Sequence, residues 1–203
     1  QVNVAGDYIF ELEVWDTTGT KSCAPASKTV SVIPDQAIYV ELLWDTPGDP
    51  NKYDVGPSVG TDLDLHFVHP FAGGQDLDNN GKPDGYFDDS YDCYWFKPNP
   101  KWGSIDPNID DNPSLDRDDT DGWGPELMNL NVPEINTVYK VGVHYWQDPK
   151  SSQFPSGFGS AEATVRIFIF GVEVWKKSGV SLNELDMWEA ATISWPDQSV
   201  EPI

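Results

Sequence analysis

The chain has 203 residues, with 34 acidic side chains against 12 basic ones and a formal net charge of −22. Hydrophobic residues make up 38 % and aromatics 13 %, including nine Trp, which is enough to bury a core and argues against wholesale disorder. The charge argues against sequence-independent nucleic-acid binding and against docking on anionic membranes, both of which need Lys and Arg, and it favours cations as partners.

Residues 7–15 alternate: Tyr8, Phe10, Leu12 and Val14 lie opposite Ile9, Glu11 and Glu13, the pattern of a half-buried strand. The opening is thus strand-like rather than a signal peptide, and any export signal is expected upstream of Gln1. Asp16 to Thr20 reads as a turn, and Lys28 to Ile33 alternates again before Pro34 stops it. Two strands do not make a stable domain in water, so residues 1–34 are expected to be the closing strands of an incomplete domain. Their order, Ala5-Gly6-Asp7-Tyr8, strand, Asp16–Gly19 turn, strand, Pro34, resembles the end of a PKD-type or related immunoglobulin-like domain.

A second unit is expected over residues 35–203. Strands are predicted at 37–44, 61–68, 138–146, 161–170, 172–175 and 187–195, where Val, Ile, Tyr, Phe and Trp dominate between Gly, Pro, Asn and Asp. A brief helical turn is predicted at Ser181–Asp186. The fold class is all-β, an antiparallel β-sandwich of jelly-roll type. No apolar run approaches the roughly 18 residues of a membrane-spanning helix. Cys23 and Cys93 are too few for a disulfide scaffold, and the sequence leaves open one bridge or two thiols.

The stretch of about 70–126 reads as a long acidic insert. Between Asp76 and Glu126 stand 14 acidic residues against four basic ones, a net −10 in a quarter of the chain. Such a segment repels itself unless something positive holds it. Residues 76–84 place oxygen side chains at Asp76, Asp78, Asn80 and Asp84, with Gly81 for a sharp turn, as in the first part of a calcium loop. Lys82 would offer its carbonyl, and Asp88 or Asp89 would replace the acid that Phe87 displaces. In residues 115–126, Asp116, Asp118 and Thr120 alternate, and Glu126 is placed to close a second calcium shell. On the strand at 61–68, Asp62, Asp64 and His66 share one face while Leu63, Leu65 and Phe67 share the other. Two carboxylates on one face invite a cation, although solvent-facing acids are common on strands. His66 and His69 are expected on opposite faces, which argues against a zinc site. No GxSxG, Walker loop or Cys-His arrangement stands out, and no catalysis is expected.

Four ordered motifs, Asp62-Leu63-Asp64-Leu65-His66, Leu115-Asp116-Arg117-Asp118, Gly122-Trp123-Gly124-Pro125-Glu126 and Tyr139-Lys140-Val141-Gly142-Val143-His144-Tyr145, resemble the signature of YfaP-like secreted β-sandwich domains of myxobacterial-type surface proteins. The resemblance covers residues 37–195. It implies a non-catalytic, extracellular or cell-surface module in which acids of the first two motifs converge on Ca2+. Relative to that pattern, residues 76–84 are an insertion, and their calcium reading rests on the residues alone. The function expected is a calcium-stabilised structural or adhesive module. Its expected partners are neighbouring domains or copies of the same protein, the latter joined by strand addition into a fibre or surface layer. The alternative is a carbohydrate-binding sandwich that uses Trp95, Trp102, Trp123 and Trp146 to stack on polysaccharide; against it stands the reading that these rings pack beneath the insert.

Overall fold

The computed structural model describes residues 4–53, 56, 59–120 and 122–203. The chain divides into two compact units, residues 1–35 and 36–203.

In the first unit, β1 (Gly6–Leu12) and β2 (Ala26–Val32) form a two-stranded antiparallel sheet, in register from Gly6 against Val32 to Leu12 against Ala26. The connection is locally specified: Asp16 Oδ1 accepts from the backbone N–H of Thr18 and Thr20 at 2.8 and 2.9 Å and from the Thr18 hydroxyl. These bonds, the Thr18 hydroxyl foremost, hold the Asp16 carboxyl below the usual carboxylate range. Ile9, Phe10, Leu12 and Trp15 are all exposed.

The second unit has two five-stranded antiparallel sheets packed as a sandwich. Its strands are β3 (Ile38–Asp45), β4 (Asp62–Val68), β5 (Asp92–Cys93), β6 (Ser114–Arg117), β7 (Glu126–Leu130), β8 (Thr137–Gln147), β9 (Ala161–Ile169), β10 (Val172–Leu182), β11 (Met187–Trp195) and β12 (Ser199–Pro202). One sheet runs β10-β9-β3-β7-β6 and the other β12-β11-β8-β4-β5. Alternation decides what goes inside. Ile38, Val40, Leu42 and Trp44 of β3 face Leu63, Leu65 and Phe67 of β4 and Tyr139, Val141, Val143 and Tyr145 of β8 in one core. Each such side chain contributes about 1.5–3 kcal/mol when fully buried.

The acidic stretch differs from one long loop. It supplies β5 and β6 and leads into β7, so it adds strands to both sheets. The helical turn expected at Ser181–Asp186 is absent; β10 continues to Leu182 and a turn closes with Asp186 N–H donating to Asn183 O. Among the described residues there is no helix. Cys23 is an exposed free thiol and Cys93 a buried one, its Sγ 3.3 Å from Pro98 O, so no bridge joins them.

The outer face of β4 and β8 is covered too. Tyr86 packs against Gly142, where any Cβ would collide with its ring. Phe87 and Tyr94 close on His66, with ring centroids 4.8 and 5.1 Å away. Part of the acidic stretch is therefore packed over the outer face of β4 and β8 by Tyr86, Phe87 and Tyr94.

Candidate metal centre

Strand β5 pairs with β4 only at Phe67 and Val68, which leaves the first half of β4 an open edge. Glu126, the first residue of β7, reaches across from the other sheet to this edge. It is fully buried, and its Oε2 accepts the backbone N–H of Leu65 at 2.6 Å. Asp62 and Asp64 stand on the outer face of β4 beside it. One carboxylate oxygen from each of Asp62, Asp64 and Glu126 lies within 4.8 Å of the other two, close enough for one ion.

Three carboxylates so placed repel one another in a medium that screens them poorly. Burial is the main force pushing the Glu126 carboxyl well above its ordinary range, and the Asp64 charge adds to it. Asp64 is raised for the same first reason, with neighbouring histidines pulling the other way. Asp118, though exposed, is near enough to raise both. Asp64 Oδ2 is buried and makes no hydrogen bond. An acidic pocket with an unpartnered oxygen is satisfied either by protons or by a cation.

The neighbouring strand supplies His144, opposite Asp64 in the β4–β8 register. Its Nδ1 is 3.8 Å from Asp64 Oδ2, also buried and also without a hydrogen bond. His66, two residues along β4, belongs to a different arrangement: its Nδ1 is 2.6 Å from Asp92 Oδ2, and both side chains are wholly buried. His69 sits apart, against Trp102 and Tyr91. A cavity of about 400 Å³ opens beside His144 and is lined also by Asp78, Asp84, Tyr86, Phe87 and Glu189.

The exposed loop at residues 76–84 forms a second cluster, with one oxygen each from Asp76, Asp78 and Asp84 within 4.8 Å of one another. The loop is wound by its own backbone: Asp76 accepts from Asn80 N–H and Gly81 N–H, and Asp84 Oδ2 from Leu77 N–H at 2.7 Å. Asn80 Oδ1 accepts from Lys82 N–H, so Lys82 is tied into the loop through its backbone.

Other expected ligands go elsewhere. Asp88 Oδ2 accepts from Gly73 N–H, and its Oδ1 accepts from Ser90 and Tyr91 N–H, which ties the cover layer down. Asp116 is the extra residue of a bulge between Leu115 and Arg117. The bulge turns it to Ser114 and Asn129 rather than to Asp118. Thr120 is exposed, and residue 121 lies outside the described residues. Of the second sequence loop, then, only Glu126 joins the buried cluster, with Asp118 at its margin.

His144 and Asp49 are absent from the sequence-derived set. Asp49 is buried with an unpartnered Oδ2, close to where the loop after Asp118 passes at Gly122. Alternation along β8 puts His144 on the face of Lys140 and Gly142, but only the β4–β8 register sets it opposite Asp64. Comparison with protein-family models, with curated proteins and with solved structures finds no match to this chain.

Proposed function

We propose that the chain is a non-catalytic structural or adhesive module of a large extracellular or cell-surface protein, stabilised by divalent cations, calcium foremost. The observation that carries this reading is the convergence of Asp62, Asp64 and Glu126 from two sheets on one buried point, with an oxygen of Asp64 unpartnered. The backbone N–H of Leu65 accounts for one oxygen of Glu126 but not for the three acids standing so close, and a divalent ion removes their repulsion. The loop at residues 76–84 adds three clustered carboxylates, oxygen donors of the kind calcium takes, and Asn80 and the Lys82 carbonyl are the further ligands its spacing suggests. Calcium loops of extracellular modules bind at about 10⁻⁴–10⁻³ M, which suits an external medium. The −22 charge and the ordered motifs that resemble YfaP-like domains support the same placement. So does the β1–β2 hairpin, which, like the end of a PKD-type domain, would offer strand edges to a neighbouring domain or copy.

The test is calcium titration by calorimetry on the wild type and on Asp78→Ala. The account expects at least two sites in the wild type and the loss of one weak site in the variant. An identical isotherm for both removes the loop from the reading.

One observation favours the carbohydrate-binding alternative as a second reading. Trp95 and Trp146 are half exposed with ring centroids 5.5 Å apart, and Phe96 lies 5.5 Å from Trp95, which together make a platform on which a sugar ring can stack. Trp102 is not part of it, being buried against Phe67, His69 and Tyr139. Retention on a polysaccharide column that is lost in Trp95→Ala and Trp146→Ala supports this reading, and indifference across a broad glycan panel removes it.

A further inference from the structure

We propose that the cavity beside His144 is a calcium-dependent carbohydrate site: a sugar seated in it ligates, through neighbouring hydroxyls, the ion of the loop at residues 76–84, and the rest of the glycan runs on to the Trp95–Trp146 platform. This deepens the carbohydrate reading above and rests on it and on the calcium reading of that loop. The cavity, of about 400 Å³, has the size of a small-molecule site. Asp78 and Asp84, two of the three clustered loop acids, line it, so an ion held by them borders the cavity. Calcium takes about six to eight oxygens. Three carboxylates, joined by Asn80 and the Lys82 carbonyl that the spacing suggests, leave about one to three positions for oxygens from elsewhere.

A second observation is independent of the acids. Tyr86 also lines the cavity; its side chain is wholly buried, and its hydroxyl has no hydrogen-bond partner. The hydroxyl end of the ring stands over Gly142, which pairs across the sheet with Glu189, another residue of the cavity wall. A buried hydroxyl that bonds to nothing is costly, and a sugar oxygen in the cavity gives it a partner. Charge decides the class of ligand. With calcium in the loop Asp78 and Asp84 are compensated, and Lys140 Nζ, 2.9 Å from Glu189 Oε1, compensates Glu189. The fourth acid of the wall, Asp186, is exposed to solvent. A neutral polyhydroxyl ligand therefore fits better than an organic cation. The aromatic rings give its direction. Phe87, in the cavity wall, has its ring centroid 5.1 Å from His144, His144 lies 5.9 Å from Trp146, and Trp146 lies 5.5 Å from Trp95. His144 and Trp146 are two positions apart on β8 and share a face, so the row is continuous from cavity to platform.

The experiment is calorimetry on the full chain, first with Ca2+ alone and then with sugars, in calcium and in chelator. The probes are glucose, mannose, galactose and N-acetylglucosamine, each as the monosaccharide and as an oligosaccharide. At least one is expected to bind in calcium and to weaken about tenfold or more in chelator or in Asp78→Ala. Tyr86→Phe keeps the ring on Gly142 and removes only the hydroxyl. It should leave the Ca2+ isotherm unchanged and weaken the sugar about threefold or more, the worth of one neutral hydrogen bond. Trp95→Ala should weaken the oligosaccharide and spare the monosaccharide. Ca2+ bound by the loop with no sugar bound from the panel overturns this inference and leaves the calcium reading standing. Sugar bound equally well in chelator, or at full strength by Tyr86→Phe, overturns it and leaves the carbohydrate reading standing. No Ca2+ bound by the loop overturns both this inference and the calcium reading of the loop.

Discussion

Replacing Asp64 by Asn keeps the shape of the side chain and removes one charge from the buried cluster, so its effect should change sign with the metal. The three carboxylates have oxygens within 4.8 Å of one another. At that distance a fully ionised pair repels by about 3.5 kcal/mol at an effective dielectric constant of about 20. Burial already raises Asp64 and Glu126 toward protonation, so part of this repulsion is relieved in the empty site. The relief left for Asp64→Asn is about 1–2 kcal/mol, the part of the pair repulsion that protonation has not removed. In chelator the variant is therefore expected to melt a few degrees above the parent. A cation at a hundredfold excess over its dissociation constant adds about 2.7 kcal/mol. In a domain of this size that is a rise of about 5–10 °C. The parent should show that rise and the variant almost none of it, so the order of the two melting points inverts. The assay is a pair of melts, in chelator and in excess calcium, on proteins that both carry Asp78→Ala. A variant that is destabilised in chelator and keeps the parent's cation response would refute the reasoning, because Asp64 would then be a structural hydrogen-bonding group.

Three further outcomes are expected. Trp102→Ala empties a space between Phe67, His69 and Tyr139 and should cost about 3–5 kcal/mol in urea unfolding, with the cation response retained; a cost under about 1 kcal/mol would place the ring outside the core. Arg166→Leu strips the wholly buried Glu41 of the guanidinium whose Nη1 lies 2.7 Å from its carboxylate, and should cost about 3–5 kcal/mol in the same measurement. A thiol reagent should titrate Cys23 at once and Cys93 only after denaturation, because burial holds the Cys93 thiol in its protonated form well above the usual range; two fast thiols in the native protein would contradict the packing around Pro98.

The strands that the sequence makes legible are those with one buried face. β3, β4, β8 and β9 alternate and their inward residues are the core; β11 joins them despite a bulge between Glu189 and Ala191. β6 and β7 escape because their apolar residues are few and interrupted: Asp116 is bulged out of β6, and β7 buries Glu126 and Asn129 at positions where the pattern asks for apolar side chains. β10 is misjudged in length because two bulges and an exposed polar face hide its period. The same physics governs the site. Asp62 and Asp64 follow from alternation, and Asp76, Asp78 and Asp84 from loop spacing. Asp116 fails because a bulge changes which way a side chain points. His144 needs the register between β4 and β8, and no single strand carries that information. The cover layer was hidden for a related reason: Tyr86 packs on a strand 56 positions away through a glycine, Gly142, that looks unremarkable until something lies on it.

The most direct test of the account is the thermal melt of the unmodified chain in chelator, in millimolar calcium, and in magnesium as the control. The account predicts a rise of about 5–10 °C or more with calcium that magnesium does not reproduce. Identical melts in chelator and in every ion would contradict it, and would mean that the clustered acids are held by protons and solvent alone.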